Sequence, residues 1–153
     1  MQLISAYSEN RVIGKDNWMP WDLPEEYEHY RQLIQGKTVL MGRRSYDLFK
    51  DDLTSRHAVV VSRSVTELPG ATVCPDLASA IAAAKGTGLT VCVCGGASIY
   101  EQTIPLVDEM LLSTIYGEFQ GDAFFPAFDE SHWEVKRREE HEGWEFVHWV
   151  RRN

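Results

Sequence analysis

The chain has 153 residues, of which 44% are hydrophobic, with five Trp, six Tyr and six Phe, enough to fill the core of one domain spanning residues 1–153. A formal net charge of −8 argues against a nucleic-acid partner, because phosphate backbones need a basic surface. The first residues carry no basic leader, and no apolar run approaches the ~20 residues of a membrane span, so a cytoplasmic protein with no membrane partner is expected.

In chain order, Gln2 to Ser8 reads as a strand and Glu9 to Asp22 as a long loop carrying Gly14. Pro24 to Gln35 reads as a helix. Lys37 to Met41 is a buried strand, Gly42 to Phe49 a short helix, and His57 to Ser62 a second buried strand centred on three valines. Ala71 to Cys74 is a brief strand, after which Asp76 caps an Ala-rich helix reaching about Lys85. Thr90 to Cys94 is again a buried strand, followed by Gly95-Gly96 and a helix to about Thr103. Three strands follow, near Glu109 to Tyr116, His132 to His141 and Trp144 to Arg151, the last two joined by a hairpin at Glu142-Gly143. This alternation predicts an α/β fold: a mainly parallel eight-stranded sheet, helices on both faces and a C-terminal antiparallel hairpin.

Three cysteines cannot all pair, and Cys92 and Cys94 lie one residue apart on the same side of one strand, so buried reduced thiols are expected. With no CxxC and no HExxH spacing among five histidines, no metal site is expected. The basic run Lys136-Arg137-Arg138, followed at once by Glu139-Glu140, reads as a solvated strand face.

The helix opened by Pro24 selects one acid. At about 100° per residue, Leu23, Tyr27, Tyr30, Leu33 and Ile34 gather on one face, Glu25, Glu28 and Gln32 on the other, and His29 lies at the margin. Glu26 falls on the apolar side. Desolvation there raises its pKa while the helix N-terminus favours its charged form. The plainer reading is an acid favoured in the first turn by the helix dipole. Elsewhere, Gly42-Arg43-Arg44-Ser45 follows a strand and offers guanidinium groups and a hydroxyl to an anion, and Ser62-Arg63 adds another arginine at a neighbouring strand end. Such arginines suit a ribose 2′-phosphate, hence NADP over NAD; alternatively they extend into solvent. Gly95-Gly96-Ala97-Ser98 lets a pyrophosphate approach the backbone, but it is not GxGxxG and also fits simple turn geometry. Arg56, just before a buried strand, would suit a substrate carboxylate or merely the surface.

Five stretches together resemble dihydrofolate reductase over nearly the whole chain: residues 10–14 (NRVIG), 19–24 (MPWDLP), 39–43 (VLMGR), 93–102 (VCGGASIYEQ) and 121–126 (GDAFFP). The resemblance implies reduction of 7,8-dihydrofolate to 5,6,7,8-tetrahydrofolate with NADPH, by hydride transfer to C6 and protonation of N5, in support of one-carbon metabolism and thymidylate synthesis. It also implies a monomer. Glu26 matches the pocket acid that binds the pterin 2-amino and N3 groups, Trp21 the residue that orders a nearby water, and Ser113 stands where the family's Thr hydrogen-bonds the acid. Ile4, Ser5, Tyr27, Tyr30, Phe49 and Leu53 match the substrate pocket, with Cys94 beside it, and Arg56 the clamp for the glutamate α-carboxylate. Ala6, Ile13, Gly14, Met19, Cys94 and Tyr100 match the nicotinamide neighbourhood, with Asn17 and Trp18 in the covering loop. Gly42, Arg43, Arg44, Ser45, Tyr46, Ser62 and Arg63 match the phosphate and adenosine sites, and Gly95, Gly96, Ala97, Ser98 and Ile99 the pyrophosphate turn. The resemblance also implies a cis Gly95–Gly96 peptide. Ala97 departs from the usual third glycine, and Trp18 replaces a typically small residue, either slowing loop opening or adding a contact. A reductase of another pterin or a pyrimidine, and a non-catalytic folate binder, are the alternatives; the pairing of Glu26 with Arg56 speaks against the first, and retention of the acid against the second.

Overall fold

Hydrophobic runs long enough for buried strands alternate with stretches of helical period, and the chain folds accordingly. A computed structural model describes residues 1–16 and 18–153. In order, the elements are β1 (Gln2–Ser8), β2 (Val12–Gly14), α1 (Pro24–Ile34), β3 (Thr38–Gly42), α2 (Arg43–Phe49), β4 (His57–Val61), β5 (Thr72–Cys74) and α3 (Leu77–Lys85). There follow β6 (Val91–Val93), α4 (Ala97–Thr103), β7 (Glu109–Ile115), β8 (Ala123–Phe124), β9 (Trp133–His141) and β10 (Trp144–Arg151). Eight strands form one sheet in the order β5-β4-β3-β6-β1-β7-β10-β9. The pairs from β5 to β7 are parallel, and β7-β10 and β10-β9 are antiparallel.

Strand alternation divides the interior in two. Leu3, Leu40, Val59, Val93, Met110 and Leu112 face one side, where Ala80 and Ala84 of α3 and Ile99 and Tyr100 of α4 cover them. Ile4, Val39, Met41, Val60, Cys92 and Leu111 face the other, beneath Ile34 of α1 and Tyr46 of α2. Central strands buried on both faces must be apolar throughout, which explains the unbroken Val-rich runs. Asp76 caps α3 by accepting from the Ser79 amide at 2.7 Å, a contact of the kind that contributes about 1 kcal/mol.

Two features depart from the sequence expectations. The loop from Glu9 to Asp22 contains β2, which pairs with the two-residue β8 more than a hundred positions later in a small second sheet. Gly121 adjoins this pairing: a Cβ there would stand 2.3 Å from Val12 Cγ1 and 2.7 Å from the Gly14 carbonyl oxygen, so only glycine fits. The run Lys136-Arg137-Arg138 is exposed along an edge strand on both sides rather than on one face, because successive side chains alternate. Arg137 and Arg138 are drawn into ion pairs with Glu139 and Glu145. The three cysteines are free and buried. Among the described residues, no helix is long and apolar enough to cross a membrane.

Candidate active site

Helix α1 begins at Pro24, whose missing N–H falls where no helical partner exists, and no side chain caps it. That start fixes the phase: Glu25 and Glu28 are exposed, while Glu26 is 4% exposed. Burial pushes its pKa up to about 7, and the Ser113 hydroxyl partly offsets the shift. Between the two influences expected at this position, desolvation wins. Ser113 points to the α1 side of the sheet because it alternates in β7 with Leu112, which packs on the opposite face.

Glu26 and Ser113 line a cavity of about 310 Å³. Ile4, Ser5 and Ala6 of β1 form its floor, and Tyr27, Tyr30 and Phe49 supply aromatic wall on the side of α1 and α2. Ile13, Gly14, Trp18 and Met19 close it from the loop after β1. Trp18 packs against Phe49 and Tyr27, with ring centroids 5.5 and 6.5 Å away, so its bulk makes an additional contact across the mouth. Asn17 lies outside the described residues.

The far end of the cavity is made by two adjacent turns. Gly42, Arg44 and Ser45 come from the end of β3 and the start of α2, and Cys94, Gly95, Gly96, Ala97 and Tyr100 from the end of β6 and α4. The Gly42 amide donates to the Gly95 carbonyl at 2.9 Å, locking the turns together. Gly95 has φ +114°, and a Cβ on it would stand 3.2 Å from Ser45 Oγ, so glycine is required where the backbone borders the cavity. The Gly95–Gly96 peptide is cis. Tyr100 is held against β1 by donating its hydroxyl to the Ile4 carbonyl at 2.7 Å, and burial raises its pKa.

Other candidates stand outside the cavity wall. Trp21 is buried behind it with Phe119 against its ring, and its indole N–H is one of the buried polar groups without a partner among the described residues. Leu53 packs among the core residues beneath α1 and α2, and Arg56 is exposed at the start of β4. Arg43 turns back to pair with Asp47 at 3.0 Å. Tyr46 is buried and donates to the Pro69 carbonyl at 2.8 Å. Ser62 and Arg63 follow β4 beside the Gly42 turn, the serine buried and the arginine exposed. Ser98 is exposed and accepts from Gln102, whereas Ile99 lies under Gly42.

Sequence reasoning left six wall residues unassigned: His29, Leu33, Leu48, Leu111, Asp122 and Ala123. Leu33 and His29 were legible from the helical phase of α1, and Asp122-Ala123 lie within the quoted stretch 121–126. Leu48 and Leu111 carry no signal beyond being apolar.

The donor set suits a nucleotide cofactor: a side-chain-free turn at Gly95–Gly96 bordered by the Ser45 hydroxyl and the exposed Arg44 guanidinium. Among the described residues, no group of three or more His, Cys, Asp or Glu is placed to hold a metal ion.

Comparison with known proteins agrees with this geometry. The family model described as dihydrofolate reductase matches residues 1–149. The chain is 36% identical over 157 residues to a dihydrofolate reductase of Neisseria meningitidis serogroup A, covering 97% of this chain and 96% of that protein. Dihydrofolate reductase HdrB of Haloferax volcanii is 34% identical over 160 residues, covering 98% and 82%. The Bacillus subtilis dihydrofolate reductase is 33% identical over 141 residues, covering 92% and 83%. A buried acid in the wall of the cavity, a glycine-lined turn in the same wall and this breadth of similarity together place the chain in the dihydrofolate reductase family.

Proposed function

We propose that the protein reduces 7,8-dihydrofolate to 5,6,7,8-tetrahydrofolate with NADPH, using Glu26 as the acid that holds and helps to protonate the pterin. The observation that carries this reading is one buried carboxyl, with a pKa near 7, in the wall of a cavity whose other end is a glycine-lined turn with an arginine and a serine. When bound, the cofactor supplies a hydride to C6. The protein's own residues do the rest. Glu26 accepts hydrogen bonds from the pterin 2-amino and N3 groups, with the Ser113 hydroxyl orienting the carboxylate. The apolar surroundings of Tyr30, Ile4 and Leu111 exclude bulk water and keep the acid near half-protonation at neutral pH. The unpartnered Trp21 N–H supports a water beside the acid, through which a proton reaches N5. Arg56 serves the glutamate carboxylate from the surface beside the cavity.

The direct test is NADPH oxidation followed by falling absorbance near ~340 nm. It is expected only when dihydrofolate is added, and no turnover at any pH would remove the assignment.

Cofactor choice rests on arginines at neighbouring strand ends. Arg44 borders the cavity and Arg63 follows β4, the neighbouring strand. NADPH is therefore expected to be used in preference to NADH, and Arg44→Ala and Arg63→Ala are each expected to narrow that preference by roughly 10-fold, the equivalent of one charge-assisted contact. Steady-state kinetics with both cofactors check this; a ratio unchanged in both variants assigns the 2′-phosphate elsewhere.

A further inference from the structure

Helix α1 meets the C-terminal hairpin through two histidines that the reaction leaves unused. His29 follows Glu26 by three residues, lines the same cavity, and packs edge-on against Phe146 at 4.7 Å and beside Trp144 at 5.3 Å. His141, at the end of β9, stacks flat on Trp144 at 3.9 Å and stands 6.1 Å from His29. His29 Nδ1 and His141 Nε2 are buried with no hydrogen-bond partner among the described residues. Phe146 is in register with Ser113 across the β7–β10 pair, so the His29 ring presses on the neighbour of the hydroxyl that faces Glu26.

The groups around His29 do not favour its charge. Burial holds its pKa below the ordinary histidine value, and Arg137 and His141 on β9 push the same way. Glu139, also on β9, opposes them; it pairs with Arg137 at 2.9 Å through one oxygen, and its other oxygen stands 3.9 Å from His141 Nε2. Facing the ring, β10 offers Trp144 and Phe146, which carry no charge. On β7, the nearby Leu111 and Ser113 are likewise uncharged. Helix α1 itself contributes Glu26 one turn earlier, with Glu25 and Glu28 on its outer side.

We propose that His29 is a positioning residue: its neutral ring, wedged between Phe146 and His141, holds the turn of α1 that aims Glu26 into the cavity, and charging that ring in acid releases the turn and weakens substrate binding. An imidazolium here loses its packing against Phe146 and Trp144, and its buried Nδ1 gains a proton with no acceptor among the described residues. The inference rests on the dihydrofolate reading above, and its signature lies in KM rather than kcat.

The test compares KM for dihydrofolate at about pH 5.5 and about pH 7.5 in the wild type and His29→Phe, each read as its own acid-to-neutral ratio. Taking the ratio cancels any change in neutral affinity and the titration of Glu26 common to both. Phenylalanine keeps an aromatic ring in the packing, and circular dichroism at both pH values confirms folding. The wild-type ratio is expected to exceed that of His29→Phe by at least about 3-fold, with kcat ratios agreeing more closely. Equal KM ratios in the wild type and His29→Phe overturn the inference while leaving the reductase reading intact. No turnover by the wild type at either pH overturns both.

Discussion

Replacing Glu26 by Gln is expected to lower kcat/KM for dihydrofolate at neutral pH by on the order of 10²-fold or more. The substitution preserves shape and the hydrogen-bonding reach toward Ser113 but removes both the negative charge and the titration. Glu26 is the acid that combines a place in the cavity wall with a pKa near 7; Asp122, also in the wall, accepts from the Asp16 amide at 3.1 Å. The wild-type rate is expected to fall as pH rises through about 7, because N5 protonation loses the protonated acid, and the variant should lack that inflection. A pH–rate series on both proteins checks this: equal rates move the acid elsewhere, and an inflection surviving in the variant assigns it to another group.

The legibility of this site follows the range of the interactions that build it. Glu26 was visible because helical phase is local: once Pro24 sets the start, the buried face of α1 is fixed within two turns. The buried strands β3, β4 and β6 were visible for the same reason, since both faces demand apolar residues. The β2–β8 pairing was not visible, because a three-residue and a two-residue strand separated by more than a hundred positions have no period to detect. Gly121 carried the trace of it, as a residue forced by a contact the local sequence does not contain. Leu111 reaches the cavity only through the sheet order, which places β7 beside β1, and Leu48 only through the packing of α2 on the sheet.

The same distinction separates the arginines. Arg43 and Arg44 are adjacent and equally basic on paper, yet the helix turn pairs Arg43 with Asp47 four residues on and leaves Arg44 at the cavity. Trp18 shows the reverse case, in which a departure from the family pattern has a readable outcome. Its exposed indole finds Phe49 and Tyr27 across the mouth, adding aromatic area where a small residue would leave a gap.

Glu26 also sets a stability cost whose sign is fixed by its environment. Its pKa rises from 4.5 to about 7 on folding, so the folded state holds a proton that the unfolded chain releases between those values. Below pH ~4.5 both states are protonated and the shift contributes nothing; through the interval stability falls, and above pH ~7 the full cost of about 3 kcal/mol is present. Glu26→Gln is therefore expected to gain stability relative to the wild type as pH rises from about 4.5 to about 8, by up to ~3 kcal/mol, or roughly 6–12 °C in Tm for a chain of this size. Histidines that charge in acid affect both proteins alike and cancel in the difference, as does the fixed cost of burying the Gln amide. Thermal melts of the pair at several pH values measure it directly. A difference that stays flat with pH would mean that the carboxyl is already ionised without penalty, and the same result would remove the reason for its titration near neutrality; a difference that grows through this window ties the activity and the instability to one buried proton.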